Sequence, residues 1–147
     1  MAELNLFCYG TLISSVVREK VLGDQQRLLV QKAYLHGFTV MKVARTNYPV
    51  LIKAAEGQIA LGTLLSGLTN IELSILDRFE GVNYSRETRV VLAEDGSRVN
   101  SFVYLPNKFL ETAGKWNFED WESVGLTLFL SHDFNLAGIR SPEARAT

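Results

Sequence analysis

The sequence predicts an α+β fold in one domain, and three observations carry that reading. Short apolar runs rich in β-prone residues recur over residues 4–9, 27–43, 50–52 and 59–65. Residues 69–80 carry the signature of a capped amphipathic helix. Residues 85–105 read as a hairpin around an Asp-Gly turn. Strands and helices alternate without the regular spacing of a parallel α/β sheet, so pattern alone stops at α+β.

In chain order, residues 4–9 are an almost unbroken apolar run, which fits a well-buried first strand. The run stops at Gly10. Thr11 and Leu12 then lead into Ser14 or Ser15, either of which can cap a short helix reaching Lys20. A strand, a glycine loop and a helix start in this order gather free backbone N–H groups side by side, and such groups bind carboxylates. The plainer alternative is an ordinary tight turn. Leu22-Gly23-Asp24 is a turn. Gly37 divides residues 27–43 into two strands joined at or bent around it. His36, beside that bend, has no carboxylate or nucleophile near it in sequence and reads as a sheet residue. Pro49 confines the segment 50–52 to a sheet edge or to the first position of its strand. In the strand over 59–65, Gly62 signals a close backbone approach.

Thr69 and Glu72 stand at the spacing of a capping box, and Ile71, Ile75, Leu76 and Phe79 recur as one apolar helical face. That helix ends at Glu80, before Gly81. The hairpin arms span 85–92 and 98–105. Tyr84 and Arg86, two residues apart, share one face of the first arm, and Tyr104 lies near the end of the second. After Pro106 the pattern weakens. Asn117 or a neighbour caps a last helix, with Glu119 and Asp120 at its positive end. Trp121, Val124, Leu128 and Phe129 are its expected core stripe, and His132 reads as a group near the negative end. From Arg140 the chain is small and polar. The expected domain spans 1–140, with a mobile tail over 141–147.

The 147 residues suffice for one domain with a real core. A net charge of -1 makes no electrostatic case for nucleic acid or an anionic membrane. A single cysteine, Cys8, rules out an internal disulfide and a cysteine-rich zinc site, and between Phe7 and Tyr9 it reads as a small core residue. The first residues have neither the basic region nor the apolar run of a signal peptide, and no stretch is long and apolar enough to span a bilayer. A soluble cytoplasmic protein, monomeric or weakly dimeric, is the expectation. There is no P-loop, GxGxxG, HExxH or nucleophile elbow. His36 and His132 are isolated, so neither a metal nor a cofactor is expected.

Glu80 is the candidate for chemistry. A carboxylate after Phe79 and before a glycine, at the boundary of two elements, can be pushed into a half-apolar cleft. Burial there raises a carboxylate's pKa and makes it a usable proton shuttle near neutral pH. Spacing alone favours the plainer reading, a solvated helix-end residue.

Four segments resemble the γ-glutamyl cyclotransferase-like family, in the family's order. They are Tyr9-Gly10-Thr11-Leu12 after the first strand, and Tyr48-Pro49 before an apolar strand with Gly62 further on. Leu76-Asp77-Arg78-Phe79-Glu80-Gly81 with Tyr84 and Arg86 follows, and then a hairpin ending in Val103-Tyr104. The resemblance covers residues 4–105 and points to the small bacterial and plant-type members and the γ-glutamylamine cyclotransferases. It implies a small mixed-sheet β-barrel with about three helices packed outside. It implies a γ-glutamyl small molecule as substrate, held by Tyr9, Gly10, Thr11 and Leu12 largely through backbone amides, with Tyr84, Arg86 and Tyr104 nearby. It implies Glu80 as general acid/base, release of 5-oxoproline, and neither metal nor cofactor. Related cyclotransferases often carry a basic residue soon after the glycine loop, whereas Ile13-Ser14-Ser15 follows here. A non-catalytic barrel that binds a small amino-acid-like ligand, or serves as an interaction module, is the alternative on the same scaffold.

Overall fold

The computed structural model describes residues 4–24 and 26–133. In chain order its elements are β1 (Leu4–Cys8), a 3-10 turn (Thr11–Ile13), α1 (Ser15–Leu22), β2 (Leu29–His36), β3 (Phe38–Val43), β4 (Pro49–Lys53) and β5 (Ile59–Leu68). They continue with α2 (Asn70–Glu80), β6 (Tyr84–Ala93), β7 (Arg98–Pro106), β8 (Thr112–Lys115), α3 (Phe118–Val124), α4 (Leu126–Leu128) and a π turn (Phe129–Asp133). Five strands close a barrel in the order β1-β5-β2-β6-β7, and β4-β3-β8 form a separate three-stranded sheet. The barrel is mixed because β1 meets β7 in parallel, Leu6 opposite Phe102, while β1 and β5 run antiparallel. The small mixed-sheet barrel with helices outside is therefore the fold.

The barrel wall explains the unbroken apolar run of β1. Successive strand side chains point to opposite faces. Phe7 and Tyr9 join one core cluster with Ala33, Leu64 and Val103. Leu6 and Cys8 join a second one, with Val17 of α1, Leu76 and Phe79 of α2, and Trp121 and Phe129 from the last segments. A strand buried on both faces has no reason to alternate. At Gly62 a Cβ would lie 2.8 Å from the Phe7 ring and collide with the Cys8 carbonyl, so the expected close approach of β5 to β1 is real.

Most local signals in the first two-thirds of the chain hold. Ser14 is the cap of α1, accepting the Val17 N–H at 3.3 Å. Both halves of the capping box form at α2: Glu72 N–H to Thr69 Oγ1 at 3.1 Å and Thr69 N–H to Glu72 Oε1 at 3.0 Å. Arg27 ties this helix start to the segment before β2 by pairing with Glu72 and donating to the Gly67 carbonyl at 2.8 Å. Pro49 opens β4, the edge strand of the small sheet. Gly96, at φ 90°, returns its N–H to the Ala93 carbonyl in the β6–β7 turn.

Several expectations need correction. Ile71 is 74% exposed; the face that α2 buries is Leu73, Leu76 and Phe79, because the stripe starts two residues later than the periodicity suggests. Two expectations here hold: β2 and β3 are joined at Gly37, which at φ 82° sends the chain from the barrel into the second sheet, and His36 is a sheet residue, the exposed last position of β2. The last helix is interrupted at Gly125 and leaves Val124 81% and Leu128 43% exposed, so Trp121 and Phe129 alone of the expected stripe are core. β8 carried no sequence signal: Thr112–Lys115 is short and exposed and is held by pairing with β3. The His132 side chain and the tail from Arg140 lie outside what the structure describes.

Candidate active site

The end of β1, the glycine loop and the end of α2 meet at one partly open cleft, with a cavity of about 40 Å3 at its floor. Cys8, Tyr9, Gly10, Thr11 and Leu12 form one side, and Phe79, Glu80, Tyr84 and Tyr104 line it with Tyr48, Pro49 and Phe129. Seven of the eight residues expected at the site thus converge: Glu80, Tyr9, Gly10, Thr11, Leu12, Tyr84 and Tyr104.

The loop side is rigid for identifiable reasons. In the 3-10 turn the first backbone bonds are Ile13 N–H to the Gly10 carbonyl and Ser14 N–H to the Thr11 carbonyl, each 3.0 Å. The N–H groups of Thr11 and Leu12 precede those donors, so the turn's own backbone offers them no acceptor. Arg18, buried on α1, reaches back and donates through Nη1 to the carbonyls of Leu12 at 3.0 Å and Ile13 at 2.8 Å. A basic side chain therefore does serve the glycine loop, supplied from the helix after it. Gly10 has φ -131°, an extended value open to any residue. What requires glycine there is the Pro49 ring, against which a Cβ would collide.

Glu80 is the last residue of α2, half-buried, and Gly81 at φ 88° ends the helix behind it by returning its N–H to the Asp77 carbonyl at 3.2 Å. Burial pushes the Cys8 thiol up to about 12, with Arg18 opposing and Glu80 adding to the rise. Burial first, then the Glu80 charge, holds the Tyr9 phenol well above its ordinary range. The Tyr104 phenol is raised by burial, by its hydrogen bond to Asp77 and by Glu80. The carboxylate thus faces a wall of neutral, protonated groups in a largely apolar cleft.

Arg86 is the expected site residue that does not line the cleft. It grips Asp77 instead, with Nε to Oδ1 at 2.8 Å and Nη2 to Oδ2 at 3.1 Å, and lies 4.4 Å over the Phe102 ring. Asp77 Oδ1 also accepts the Tyr104 hydroxyl at 2.7 Å, and the Tyr104 carbonyl accepts the Tyr9 hydroxyl at 2.7 Å. Tyr104 is thus tied on its side chain to the Asp77–Arg86 pair and on its backbone to Tyr9. Tyr84 makes a longer contact, its hydroxyl 3.4 Å from the Pro49 carbonyl.

The sequence pattern of the family described as "Gamma-glutamyl cyclotransferase, AIG2-like" matches residues 6–123. The chain belongs to this family. Among its relatives, AIG2-like protein C of Arabidopsis thaliana is 32% identical, with 98% of this chain and 84% of that protein covered. AIG2-like protein D of the same plant is 30% identical over 86% of this chain and 84% of its own length. A solution structure of an Arabidopsis thaliana protein superimposes with a TM-score of 0.69 at 28% identity, covering 89% of this chain and 88% of that one. A structure titled "Gamma-glutamyl cyclotransferase" shares the fold, with a TM-score of 0.65 at 16% identity over 97% and 96% of the two chains.

In this cyclotransferase-family cleft, the residues not foreseen as lining are Leu6, Phe7, Cys8, Tyr48, Pro49, Phe79 and Phe129. Tyr48-Pro49 stood in the sequence as a motif, which was a signal for them. Phe129 arrives from the segment after the barrel and stands edge-on to Phe79 at 6.3 Å and to Tyr48 at 6.0 Å. Nothing in its neighbourhood in sequence marks it for the cleft. Among the described residues, no three His, Cys, Asp or Glu side chains come together as a cluster able to hold a metal ion. None of the described helices is long and apolar enough to cross a membrane.

Proposed function

We propose that the protein is a γ-glutamyl cyclotransferase-type enzyme that converts a γ-glutamyl amine, amino acid or peptide into 5-oxoproline and a free amine. The observation that supports this reading is the meeting of the Glu80 carboxylate and the Tyr9–Leu12 loop across one cleft. In the reaction the substrate's α-amine bonds to its own γ-carbonyl carbon, the original γ-amide C–N bond breaks, and the proton lost by the amine goes to the departing nitrogen. No water, metal or redox partner enters the balance.

Such chemistry asks little of a protein. The nucleophile is tethered, so folding the substrate back into an attack geometry can lower the barrier by several kcal/mol. Glu80 takes the proton from the attacking amine and returns it to the leaving one, so a single carboxylate serves as base and then acid. The Thr11 and Leu12 N–H groups face the developing oxyanion or the substrate carboxylate. A binding-only pocket gains nothing from holding a carboxylate against apolar walls, since that placement costs free energy.

The test is release of 5-oxoproline from a panel of γ-glutamyl amines, amino acids and peptides. Turnover of at least one class supports the proposal, and the preferred class identifies the leaving group. Binding across the panel without 5-oxoproline would reassign the barrel as a ligand-binding module.

A further inference from the structure

A second cavity, of about 500 Å3, lies beside the glycine loop and away from Glu80. It shares Tyr9 with the cleft, but Glu80, Thr11 and Leu12 do not line it. Its size is that of a small-ligand pocket, roughly 300–1,000 Å3. One wall is the β2–β5 ladder, where Lys32 stands opposite Thr63 and Tyr34 opposite Leu61. Neighbours on a strand alternate between faces, and Ala33 and Ala60 are buried in the cluster of Phe7 and Tyr9. Lys32, Tyr34, Leu61 and Thr63 therefore face outward. Leu61 is 65% exposed and Ile59, on the same face, 45%, so the apolar floor is open over adjacent residues. Contiguous exposed apolar surface marks a place of interaction. The other wall is aromatic and held. The Trp116 indole N–H donates to the Asn47 carbonyl at 2.9 Å, and the Trp116 and Phe118 rings lean on buried Trp121 at 6.1 and 6.0 Å. Rings fixed beforehand lose little freedom when a ligand arrives.

Charge selects the occupant. Lys32 enters from the barrel and Lys115 from β8, which pairs with β3, so two ammonium groups come to one groove from two sheets. Lys115 donates to Thr39 Oγ1 at 2.9 Å, and among the described residues neither lysine forms an ion pair. An ammonium has three donors, so both retain donors for a ligand. Glu119 is the one acid among the described lining residues. We propose that this groove is a second binding site, for a flat aromatic anion of the aryl carboxylate or aryl sulfonate kind. Its rings lie between the Tyr34–Leu61 floor and the Trp116 and Phe118 rings, and its anionic group meets Lys32 and Lys115. The site goes beyond the reaction proposed above and does not depend on it.

The probes are 8-anilinonaphthalene-1-sulfonate and its uncharged parent, N-phenyl-1-naphthylamine, titrated by fluorescence against the wild-type protein. The sulfonate should bind as one molecule per chain, about fivefold or more tighter than the amine, as two partly exposed lysine contacts provide. Lys32→Gln with Lys115→Gln should bring the two affinities within about twofold of each other. Leu61→Glu, at an exposed position, should weaken the sulfonate by about tenfold or more, because it sets a like charge on the floor. Lys53→Gln with Arg89→Gln, in a separate apolar groove beside Leu51 and Leu105, should change neither affinity. Thermal melts verify each fold, and either folded variant of the proposed groove suffices. The proposal is overturned by a sulfonate that does not bind, by equal affinity of the wild type for both probes, or by unchanged affinities in a folded variant of the groove. Loss of sulfonate binding in the Lys53 and Arg89 variant would overturn it too, by moving the site there. Sedimentation of the same samples covers the remaining occupant. A wild-type dimer that binds no sulfonate and that Leu61→Glu dissociates would give this face to a second copy of the chain.

Discussion

Helix α2 carries a glutamate at each end, and the two have opposite fates. Glu72 in the first turn is buried and fully engaged: it completes the capping box with Thr69 and pairs with Arg27. Burial disfavours its charge, but the Arg27 and Thr69 hydrogen bonds prevail and hold its pKa below the ordinary 4.5. Glu80 in the last turn is half-buried in a cleft lined by phenols, a thiol and aromatic rings, and its charge adds to the burial that raises the pKa of Cys8, Tyr9 and Tyr104. One residue type on one helix is thus held by hydrogen-bond donors at one end and set in the lining of a cleft at the other, where the proposed reaction uses it.

The largest expected effect separates the two ends directly. Glu80→Gln should cut 5-oxoproline formation by about 10²–10⁴-fold, since the amide fills the same space but cannot take up and release a proton. Its melting temperature should stay near that of the wild type. A folded Glu80→Gln protein with near-normal turnover would end the comparison.

Next comes the wall that Glu80 faces. Gly10→Ala places a methyl group against Pro49, so the loop or β4 must shift. Turnover should fall by at least about tenfold, and overpacking should cost about 1–3 kcal/mol of stability, read from denaturant melts. Unchanged turnover would mean that the loop's position does not matter to the reaction.

Glu72→Ala should show the converse pattern. Losing a capping box costs about 0.5–2 kcal/mol, visible as a drop in Tm of several degrees, with kcat essentially unchanged. The pH dependence has a definite sign. The Glu72 pKa is depressed on folding, so the unfolded chain binds more protons on the acid side. Its contribution is complete above the ordinary 4.5 and is lost as pH falls through the lower folded value. Relative to Glu72→Ala, the wild-type advantage in Tm should therefore shrink on acidification and stay flat from pH 6 to 8. An advantage that grows in acid would refute the pairing.

The smallest effects concern groups that share the cleft without acting in it. With its thiol pushed up to about 12 and its side chain buried, Cys8 should resist a thiol reagent at pH 8 until the protein unfolds. Exhaustive chelation should leave turnover unchanged. Chelator-sensitive activity restored by one divalent metal would move the chemistry away from Glu80.

The sequence by itself determined what local forces decide. The Ser14 and Thr69 caps, the Asp-Gly hairpin turn, Pro49 at the start of an edge strand and the close approach at Gly62 are each written within a few residues, and each is formed. The Tyr9–Leu12 loop and Glu80 were legible as site candidates because both stand at element boundaries, where backbone donors and side chains are left unspent. Only the tertiary structure decided the rest. Closing the barrel brings Tyr104 within 2.7 Å of Asp77 and of the Tyr9 hydroxyl, across sequence separations of 27 and 95 residues. That closure turned Arg86 from an expected ligand contact into the anchor of Asp77. Phe129 entered the cleft, Val124 and Leu128 were left at the surface, and Gly125 lies so close to Trp121 that a Cβ would be 2.8 Å from its ring. Periodicity finds which residues share a face; which face finds a partner depends on contacts between segments far apart in the chain, and no local window contains those.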